Sequence, residues 1–494
     1  MASLLDPTKS NEMRSPLEYL QGLRDEREVW YRGERVADVT AHPELGIAAK
    51  HGALDFEPHD GSDPSGRSPY YVIPRNAEDL RLRSALIEAS TTRGATLVVL
   101  LKEIGTDALF ALHRVAHGTT FQTNVEAFFE HCADKDLAIA TAQTDAKGDR
   151  SKGPSAQFDP DLYLRIVERR DDGIVVRGAK VHTSCTPNVD EIIVLPTRAM
   201  TPDETDWAVS FAVPVSTPGV KLLCSDYLHG ADDPWTQPVS SRHKMIETLT
   251  IFDDVFVPWE RVFLAGDTSA AGQLALTFVE YHRFTAVSYK LPLLDTLVGL
   301  ATCLAEANGI QKASHVRDKL TWLIGYAETV RGLTHLAANR ARVDEATQIA
   351  FPDPLTVNLA KWTFARDYHE AVSHVIDIAG GLLVTGPSGA DWSSPELRPY
   401  LEKYFGAAVP AATRLALLNL ASDLLARNYA GYQNVLAVHA EGSLEAEKLM
   451  IWRSYDPEPA RRLVRGLAGI DNGWTVAPPA PATSDPADRP QSPV

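Results

Sequence analysis

At 494 residues the chain is too long for one compact core and long enough for two or three domains. The net charge of −17 argues against nucleic acid or an anionic membrane surface as a partner. The apolar runs look too short to predict a membrane-spanning helix. Four scattered cysteines without a CxxC spacing argue against a metal site and fit a reducing cytoplasm.

The N-terminal part of the chain is predicted to be mainly helical. A short helix is expected from Pro16, followed by a hairpin that turns at Arg32 and Gly33. Apolar residues then recur at the three-to-four spacing of amphipathic helices over much of 77–135. We therefore predict a mainly helical domain over residues 1–136.

Strand-like runs begin at Leu137, and turns rich in Asp, Gly and Pro separate them. The last of these runs is read as a strand over Glu247–Phe252, a turn, and a second short strand that ends at Pro258. Six or more such strands in about 125 residues indicate a compact β barrel or sandwich. We predict a middle β barrel domain over residues 137–267.

Helical periodicity starts at Gly272 and continues almost to Leu467. Four amphipathic stretches with short connections predict a four-helix bundle domain over 268–476, with helices at 274–306, 313–346, 355–378 and 408–440. The Pro-rich residues 477–494 predict a disordered tail. The change from strands to helices near residue 263 marks a seam, where ligand sites are often found.

Several blocks of the sequence resemble, in the same order, those of the 4-hydroxyphenylacetate 3-hydroxylase family. This family contains oxygenase components of two-component flavin monooxygenases and is related to 4-hydroxybutyryl-CoA dehydratase. The blocks include REVWYRGERVADVTAHP, IFDDVFVPWERVF and GGLLVTGPSGADWSSPELRPYLEKYF. The resemblance implies an acyl-CoA dehydrogenase-like fold: a helical domain, a β domain and a four-helix bundle.

The resemblance also implies which residues contact FAD. One group follows the first strand of the β domain and would reach the flavin of a neighbouring subunit: Lys147, Gly148, Asp149 and Arg150. Two hydroxyl residues would lie at the flavin ring, Thr183 and Ser184. The start of a late helix supplies Gly442, Ser443, Leu444 and Glu445. Each group also has an alternative without a ligand: a solvated loop, a turn and a helix cap.

On the substrate side this chain departs from the family. The phenol hydroxylases present an Arg, a Tyr and a His to the substrate, and the alignment puts threonines in their places: Thr119, Thr123 and Thr141. Pro196 and Thr197 match substrate-lining positions. Three nearby residues are alternative contacts: His113, Arg114 and His117. We expect that 4-hydroxyphenylacetate is not the natural substrate.

The dehydratase branch of the family binds an iron–sulfur cluster through a His and a Cys on the first bundle helix. Here His282 stands at the His position, but Tyr289 stands at the Cys position. Because such clusters need thiolates, we expect no metal. His282 is a candidate catalytic residue, and the alternative is a core histidine.

The resemblance implies a cytoplasmic, homotetrameric monooxygenase component that takes reduced FAD from a separate NAD(P)H–flavin reductase. It would react with O2 through a C4a-hydroperoxyflavin and hydroxylate an aromatic or related small or carrier-bound substrate. No dinucleotide-binding GxGxxG follows a strand, consistent with a borrowed reductant. Two alternatives remain: an oxygen-independent dehydratase or isomerase relative, and a non-catalytic flavin-binding homologue.

Overall fold

The computed structural model describes residues 13–57, 66–230 and 232–470. Helices dominate its N-terminal part, strands its middle and long helices its C-terminal part, so the predicted order is confirmed. The predicted tail over 477–494 lies outside the described residues.

The N-terminal helices are α1 (Pro16–Gly22), α2 (Leu45–Gly52), α3 (Ala77–Arg93), α4 (Glu103–Ala116) and α5 (Gln122–Asp134). The helix predicted from Pro16 is confirmed, and a capping box fixes its start. The Ser15 hydroxyl accepts the Glu18 N–H, while the Glu18 carboxylate accepts the Ser15 N–H. Two backbone donors at the helix start are thereby satisfied.

Ten of the described strands form two sheets. They are β1 (Glu28–Tyr31), β2 (Glu34–Val36), β3 (Ile139–Ala142), β4 (Arg165–Arg169), β5 (Gly173–Ser184), β6 (Glu191–Val194), β7 (Val209–Pro214), β8 (Val220–Cys224), β9 (Glu247–Pro258) and β10 (Val262–Ala265). One sheet has the order β2-β1-β8-β9-β5-β4 and the other β10-β7-β6-β3. The closed barrel of the prediction is therefore not confirmed. The hairpin at Arg32–Gly33 is confirmed, and it adds β1 and β2 to the larger sheet.

The antiparallel pair of β5 and β9 runs through the larger sheet. β9 is one continuous strand, so the predicted turn within it is wrong. Asp254 takes a left-handed φ of 53°, and the register with β5 shifts near Gly178, so a bulge takes up the turn-forming residues. At the other end of the pair Ser184 lies opposite Glu247.

The C-terminal helices are α6 (Thr268–Ala307), α7 (Ser314–Asn339), α8 (Pro354–Ala379), α9 (Gly389–Ser393), α10 (Arg398–Phe405), α11 (Ala411–Ala426), α12 (Asn428–His439), α13 (Leu444–Ser454) and α14 (Glu458–Ala468). The predicted fourth bundle helix is split into α11 and α12, because Arg427 takes an extended backbone conformation. The second predicted bundle helix, 313–346, ends earlier, at Asn339, and a small hairpin of β11 (Arg342–Val343) and β12 (Ala350–Phe351) follows it.

α6 is the central helix of the bundle and packs against α3, α4, α7 and α8. By length and hydropathy it could cross a membrane, contrary to the expectation that the chain has no such run. However, 61% of its most apolar window is buried in the fold. A core helix of a globular protein has this property, and α6 brings several polar side chains to the seam.

Candidate functional site

Two small cavities share the α3–α4 loop as a wall: the first also borders the segment that leads into β9 and the helix α12, and the second borders the helices α6, α8 and α12. The walls of the first include Leu97, Tyr227, Lys244 and Tyr432. The second has an apolar wall and a polar end, and its lining comprises Thr96, Leu97, Val98, Tyr289, Lys290, Leu293, Phe364, Gln433, Leu436 and Ala437. Because Leu97 lines both cavities, the loop that carries it separates them. We call this region the seam site.

The loop from Gly94 to Leu101 connects α3 to α4 and forms one wall of the seam site. Ala95, Thr96 and Leu100 have φ of 53°, 74° and 65°, which L-residues rarely adopt. The apolar side chains of 97–101 are all buried. Strained backbone of this kind persists where the surrounding structure fixes it, and such positions concentrate at ligand sites.

Glu247 begins β9 and points toward α12. Its carboxyl accepts hydrogen bonds from the hydroxyls of Ser184 at 2.9 Å and Tyr432 at 2.8 Å. The Tyr432 ring stacks on Tyr227 with 4.3 Å between centroids. Burial raises the pKa of Glu247 to about 7, although both hydrogen bonds favour the carboxylate. The carboxyl can therefore gain or lose a proton near neutral pH, as general acid–base catalysis requires.

A second group of ionisable side chains lies at the end of the other cavity. We call it the charged cluster, and it comprises Arg283, Tyr289, Lys290, Lys361, Glu441 and Glu447. The Tyr289 hydroxyl donates to the Glu441 carboxylate. The Lys290 ammonium lies 2.9 Å from Glu441 Oε2 and 3.2 Å from the Tyr289 oxygen. Lys361 Nζ lies 3.3 Å from Glu447 Oε1. Carboxylates and ammonium groups therefore alternate through the cluster.

The turn before α13 holds Glu441 inward. Arg283 Nε donates to the Glu441 carbonyl oxygen at 3.0 Å. Glu441 itself has φ of 57°, and Gly442 has φ of 115°. A Cβ atom on Gly442 would lie 2.6 Å from Arg283 Nη2, so only glycine fits without a shift. The turn thus accepts backbone strain at Glu441 in order to place its carboxyl beside Tyr289.

Burial dominates the electrostatics of the charged cluster. It lowers the pKa of Lys290 well below its ordinary value and raises that of Glu441 well above. The pKa values of Lys361 and Glu447 shift in the same two directions for the same reason. If every group is charged, three cations face two carboxylates. Buried charges are costly, and strong pKa perturbation in a cleft is a mark of functional sites.

The structure places the predicted flavin residues in three regions. Ser184 contacts Glu247, whereas the buried Thr183 hydroxyl has no hydrogen-bond partner among the described residues. Ser443 caps α13, of which Leu444 and Glu445 form the first turn, directly after the charged cluster. The third region is the exposed loop after β3, with Lys147, Gly148, Asp149 and Arg150. The first two regions flank the seam, and the third lies on the surface of the chain.

The structure does not bring the predicted substrate-side threonines together. Thr119 and Thr123 are exposed near the α4–α5 turn, and the Thr119 hydroxyl donates to the Ala116 carbonyl. The Thr141 hydroxyl donates to the Ile104 carbonyl at 3.2 Å. The alternatives nearby, His113, Arg114 and His117, line neither cavity either. Residues of the 94–101 loop, and not these threonines, line the two cavities.

Pro196 and Thr197 follow β6, next to a buried ion pair. The Thr197 hydroxyl donates to the Gln143 carbonyl at 2.7 Å, and its oxygen accepts the Asp145 N–H at 3.0 Å. Asp145 pairs with Lys180 at 2.6 Å. Thr197 is thus held in a local polar network, and neither Pro196 nor Thr197 lines the two cavities.

His282 lies beside Asp107, outside the cavity linings. Its ring stacks on Phe278, and its Nδ1 is 3.8 Å from Asp107 Oδ2. Burial lowers the pKa of His282, while Asp107 is bonded to Arg83 at 2.7 Å and to Thr285 at 3.0 Å. This environment fits a neutral core histidine better than a group that touches a ligand.

Sequence reasoning missed most of the groups that define the seam site: Glu247, Lys361, Tyr432, Gln433, Glu441 and Glu447. One signal was present, because Glu441 directly precedes the recognised Gly442–Ser443 turn. Lys361 and Gln433 lie within amphipathic helices, and their burial depends on the packing of α8 against α6 and of α12 against α8. Helical periodicity does not reveal such contacts.

A helical part, a sheet part and a bundle, with a polar site buried at the seam, have the layout of the acyl-CoA dehydrogenase-like fold that the resemblance implied. More specifically, the chain belongs to the 4-hydroxyphenylacetate 3-hydroxylase family. Residues 16–264 match the N-terminal domain of 4-hydroxyphenylacetate 3-hydroxylase, and residues 271–469 match the C-terminal domain.

Relatives with two different activities are similar to the chain. The 4-hydroxybutyryl-CoA dehydratase/vinylacetyl-CoA-Δ-isomerase of Clostridium aminobutyricum is 36% identical, over 74% of this chain and 79% of its own. The 4-hydroxyphenylacetate 3-monooxygenase oxygenase component of Thermus thermophilus is 29% identical, over 92% and 97%. A solved structure of a 4-hydroxyphenylacetate 3-monooxygenase oxygenase component, complexed with FAD and 4-hydroxyphenylacetate, superposes with a TM-score of 0.85 at 28% identity, over 92% and 98%.

Proposed function

We propose that the chain is the oxygenase component of a two-component, FAD-dependent monooxygenase. It receives reduced FAD from a separate NAD(P)H–flavin reductase and uses O2. The observation that carries this proposal is the charged cluster, with its surplus of cations at the polar end of a buried cavity. A cation at that position stabilises an electron-rich flavin ring and a negatively charged oxygen species alike.

The polar groups at the seam are of the kinds that the edge of a flavin ring requires. Its pyrimidine edge presents carbonyl oxygens and an N–H group, which need both donors and an acceptor. Lys290 is a donor at the cavity, and Gln433 Oε1 has no hydrogen-bond partner among the described residues. The Thr183 hydroxyl is also without a partner there. The α13 N-terminus suits a pyrophosphate at the seam, and the exposed Arg150 suits the pyrophosphate of a neighbouring subunit's flavin.

FAD, when bound in reduced form, would supply the electrons that activate O2. The chain's own residues bind it, orient the substrate and exclude water. The buried side chains of Leu97, Val98 and Phe364 make the cavity wall dry. A dry wall strengthens every electrostatic interaction within the cavity and suppresses loss of activated oxygen to water.

The expected substrate is a small or carrier-bound molecule, and not a phenol held by the usual side chains. The loop at the cavity offers Thr96, Leu97 and Val98, so it presents neither a cation nor an imidazole. A homotetramer is part of the proposal, because the exposed residues Lys147–Arg150 would contact the flavin bound by a neighbouring subunit. A cytoplasmic location is also part of the proposal.

The direct test supplies the purified chain with FAD, NADH and a flavin reductase, and follows O2 uptake and peroxide release. We expect the chain to change the rate of flavin reoxidation relative to free flavin. Lys290→Met should reduce that effect, and the exposed Lys312→Met is the matched control. Reoxidation at the rate of free flavin, with full flavin occupancy, would contradict the monooxygenase proposal.

A second candidate is an oxygen-independent dehydratase or isomerase. The similarity to the Clostridium enzyme favours it, as do Glu247 and the charged cluster, which can handle protons without O2. In the described residues no group of three or more His, Cys, Asp or Glu side chains could hold a metal ion, and Tyr289 stands at the cysteine position. Turnover of an acyl-CoA under strict anaerobiosis would favour this candidate; flavin binding with neither activity would favour the non-catalytic alternative.

A further inference from the structure

We propose that Tyr289, Lys290 and Glu441 form a proton-transfer relay that serves the cavity beside Gln433. The inference rests on the proposed function, because the proton acceptor is a ligand oxygen that gains negative charge during turnover. Tyr289 and Lys290 line the cavity, and Glu441 lies directly behind them.

The contacts form a continuous path from the cavity to a buried carboxyl. The Tyr289 hydroxyl donates to Glu441, and Lys290 Nζ lies within hydrogen-bond distance of both partners, at 3.2 Å and 2.9 Å. Lys361 Nζ approaches the same Glu441 oxygen at 3.7 Å. Glu441 is 2% exposed at its side chain, so the relay is shielded from bulk water. A proton can therefore move along it without exchange at every step.

The transfer consists of two linked proton movements. The Tyr289 O–H bond breaks as a new O–H bond forms on the ligand oxygen. This requires the hydrogen bond between the two side chains to reverse once Glu441 is protonated: the carboxyl O–H then donates to the Tyr289 oxygen and the Tyr289 O–H faces the ligand. The Glu441 proton passes to the Tyr289 oxygen as the Tyr289 proton leaves, so the phenol is restored. The negative charge then rests on the Glu441 carboxylate, whose Oε2 lies near the Nζ atoms of both Lys290 and Lys361. No electron leaves the protein, and a proton from solvent or product later returns to Glu441.

The electrostatic environment suits this sequence. Burial raises the pKa of Glu441, which favours a protonated carboxyl at rest. The charged groups that surround the relay are Arg283 on α6, Lys361 on α8, Glu447 on α13 and Glu247 on β9. The two cations stabilise the carboxylate that forms on transfer, whereas Glu447 and Glu247 oppose it. Glu441 can therefore hold a proton at rest and still release it to Tyr289.

A purely structural role explains the arrangement less well. A buried ion pair contributes little net stability over apolar side chains of similar volume. Glu441 moreover takes a left-handed backbone conformation, and Gly442 makes room for Arg283. Strain and buried charge at one position are together expected where chemistry requires them.

The test uses the full chain loaded anaerobically with reduced FAD and mixed with O2. Reoxidation of anionic reduced flavin to FAD and hydrogen peroxide consumes one proton, so it reports on a proton donor without a known substrate. We expect Tyr289→Phe and Glu441→Gln to slow peroxide release about 10²-fold or more. The solvent deuterium isotope effect of the wild type should disappear or change in both.

The control is Tyr281→Phe, on the same helix. Tyr281 is also buried, but its hydroxyl donates to the Ala350 carbonyl, outside the charged cluster. The Tyr281→Phe variant should leave peroxide release, the isotope effect and the affinity for reduced FAD unchanged. Thermal unfolding of each variant shows whether it folds, and anaerobic titration shows whether it still binds the flavin.

The outcomes separate the two claims. Slow peroxide release with unchanged affinity for reduced FAD supports the relay. Wild-type release and isotope effect in both folded variants would overturn the relay and leave the proposed function standing. A loss of flavin affinity that accounts for the whole slowing would also overturn it, in favour of a positioning role. If the wild type does not alter reoxidation at all, the proposed function fails first, and the relay with it.

Discussion

Glu247→Gln offers a test of the seam site through stability alone. Burial raises the pKa of Glu247 from 4.5 to about 7. Between these values the folded chain holds a proton that the unfolded chain has lost, so the free energy of unfolding falls as the pH rises. The penalty is complete above pH 7, and the shift corresponds to at most about 3 kcal/mol.

Glutamine carries no charge at any of these pH values and keeps an oxygen for Ser184 and Tyr432. We therefore expect Glu247→Gln to match the wild type in stability near pH 4 and to exceed it by up to about 3 kcal/mol near pH 8. Chemical denaturation of the flavin-free protein across this range measures the difference. The exposed Glu34→Gln on β2 is the control. A difference that does not change with pH would refute the assignment of a buried, proton-holding carboxyl.

Three further predictions concern the flavin, the turn before α13 and the substrate. Arg150→Ala should weaken FAD binding by about 1.5–3 kcal/mol, the scale of a charge-assisted hydrogen bond, and should leave the unfolding midpoint of the flavin-free protein nearly unchanged. Unchanged affinity in a flavin titration would show that this loop is solvated and binds no flavin. Gly442→Ala should lower the free energy of unfolding by about 1–3 kcal/mol, because the φ of 115° and the nearby Arg283 leave no room for a Cβ. Gly431→Ala on α12 should not lower it, and equal stability of the two variants would contradict this reasoning. 4-Hydroxyphenylacetate should release mainly peroxide in the reductase-coupled assay, and efficient catechol formation would show that the substrate wall is wrongly assigned.

The sequence allowed the order of the three parts and most elements to be predicted, because local patterns determine them. Strand-like runs bounded by turns rich in Asp, Gly and Pro mark β5 and β8, and Ser15 with Glu18 marks the start of α1. The bulge at Asp254 and the break at Arg427 escaped prediction. Each depends on a single backbone conformation that tertiary contacts stabilise.

The site was less predictable than the fold. Resemblance led to Ser184 and Gly442, which lie at the seam. It also assigned Thr119 and Thr123 to the substrate, and these two residues are exposed and line neither cavity. The 94–101 loop forms a wall of both cavities, and its left-handed residues are not glycine and so carry no turn signal in the sequence. Its apolar residues are those expected in a hydrophobic core, and only the folded structure shows that some of them line cavities.

The most direct test of the central claim is an equilibrium titration of the chain with oxidised and, under anaerobic conditions, reduced FAD. An oxygenase component must capture reduced flavin released by another enzyme, and the surplus of cations in the charged cluster favours the more electron-rich form. We therefore predict that reduced FAD binds more tightly than oxidised FAD, and that Lys290→Met narrows the difference. Equal affinities of the wild type for the two forms would contradict the account.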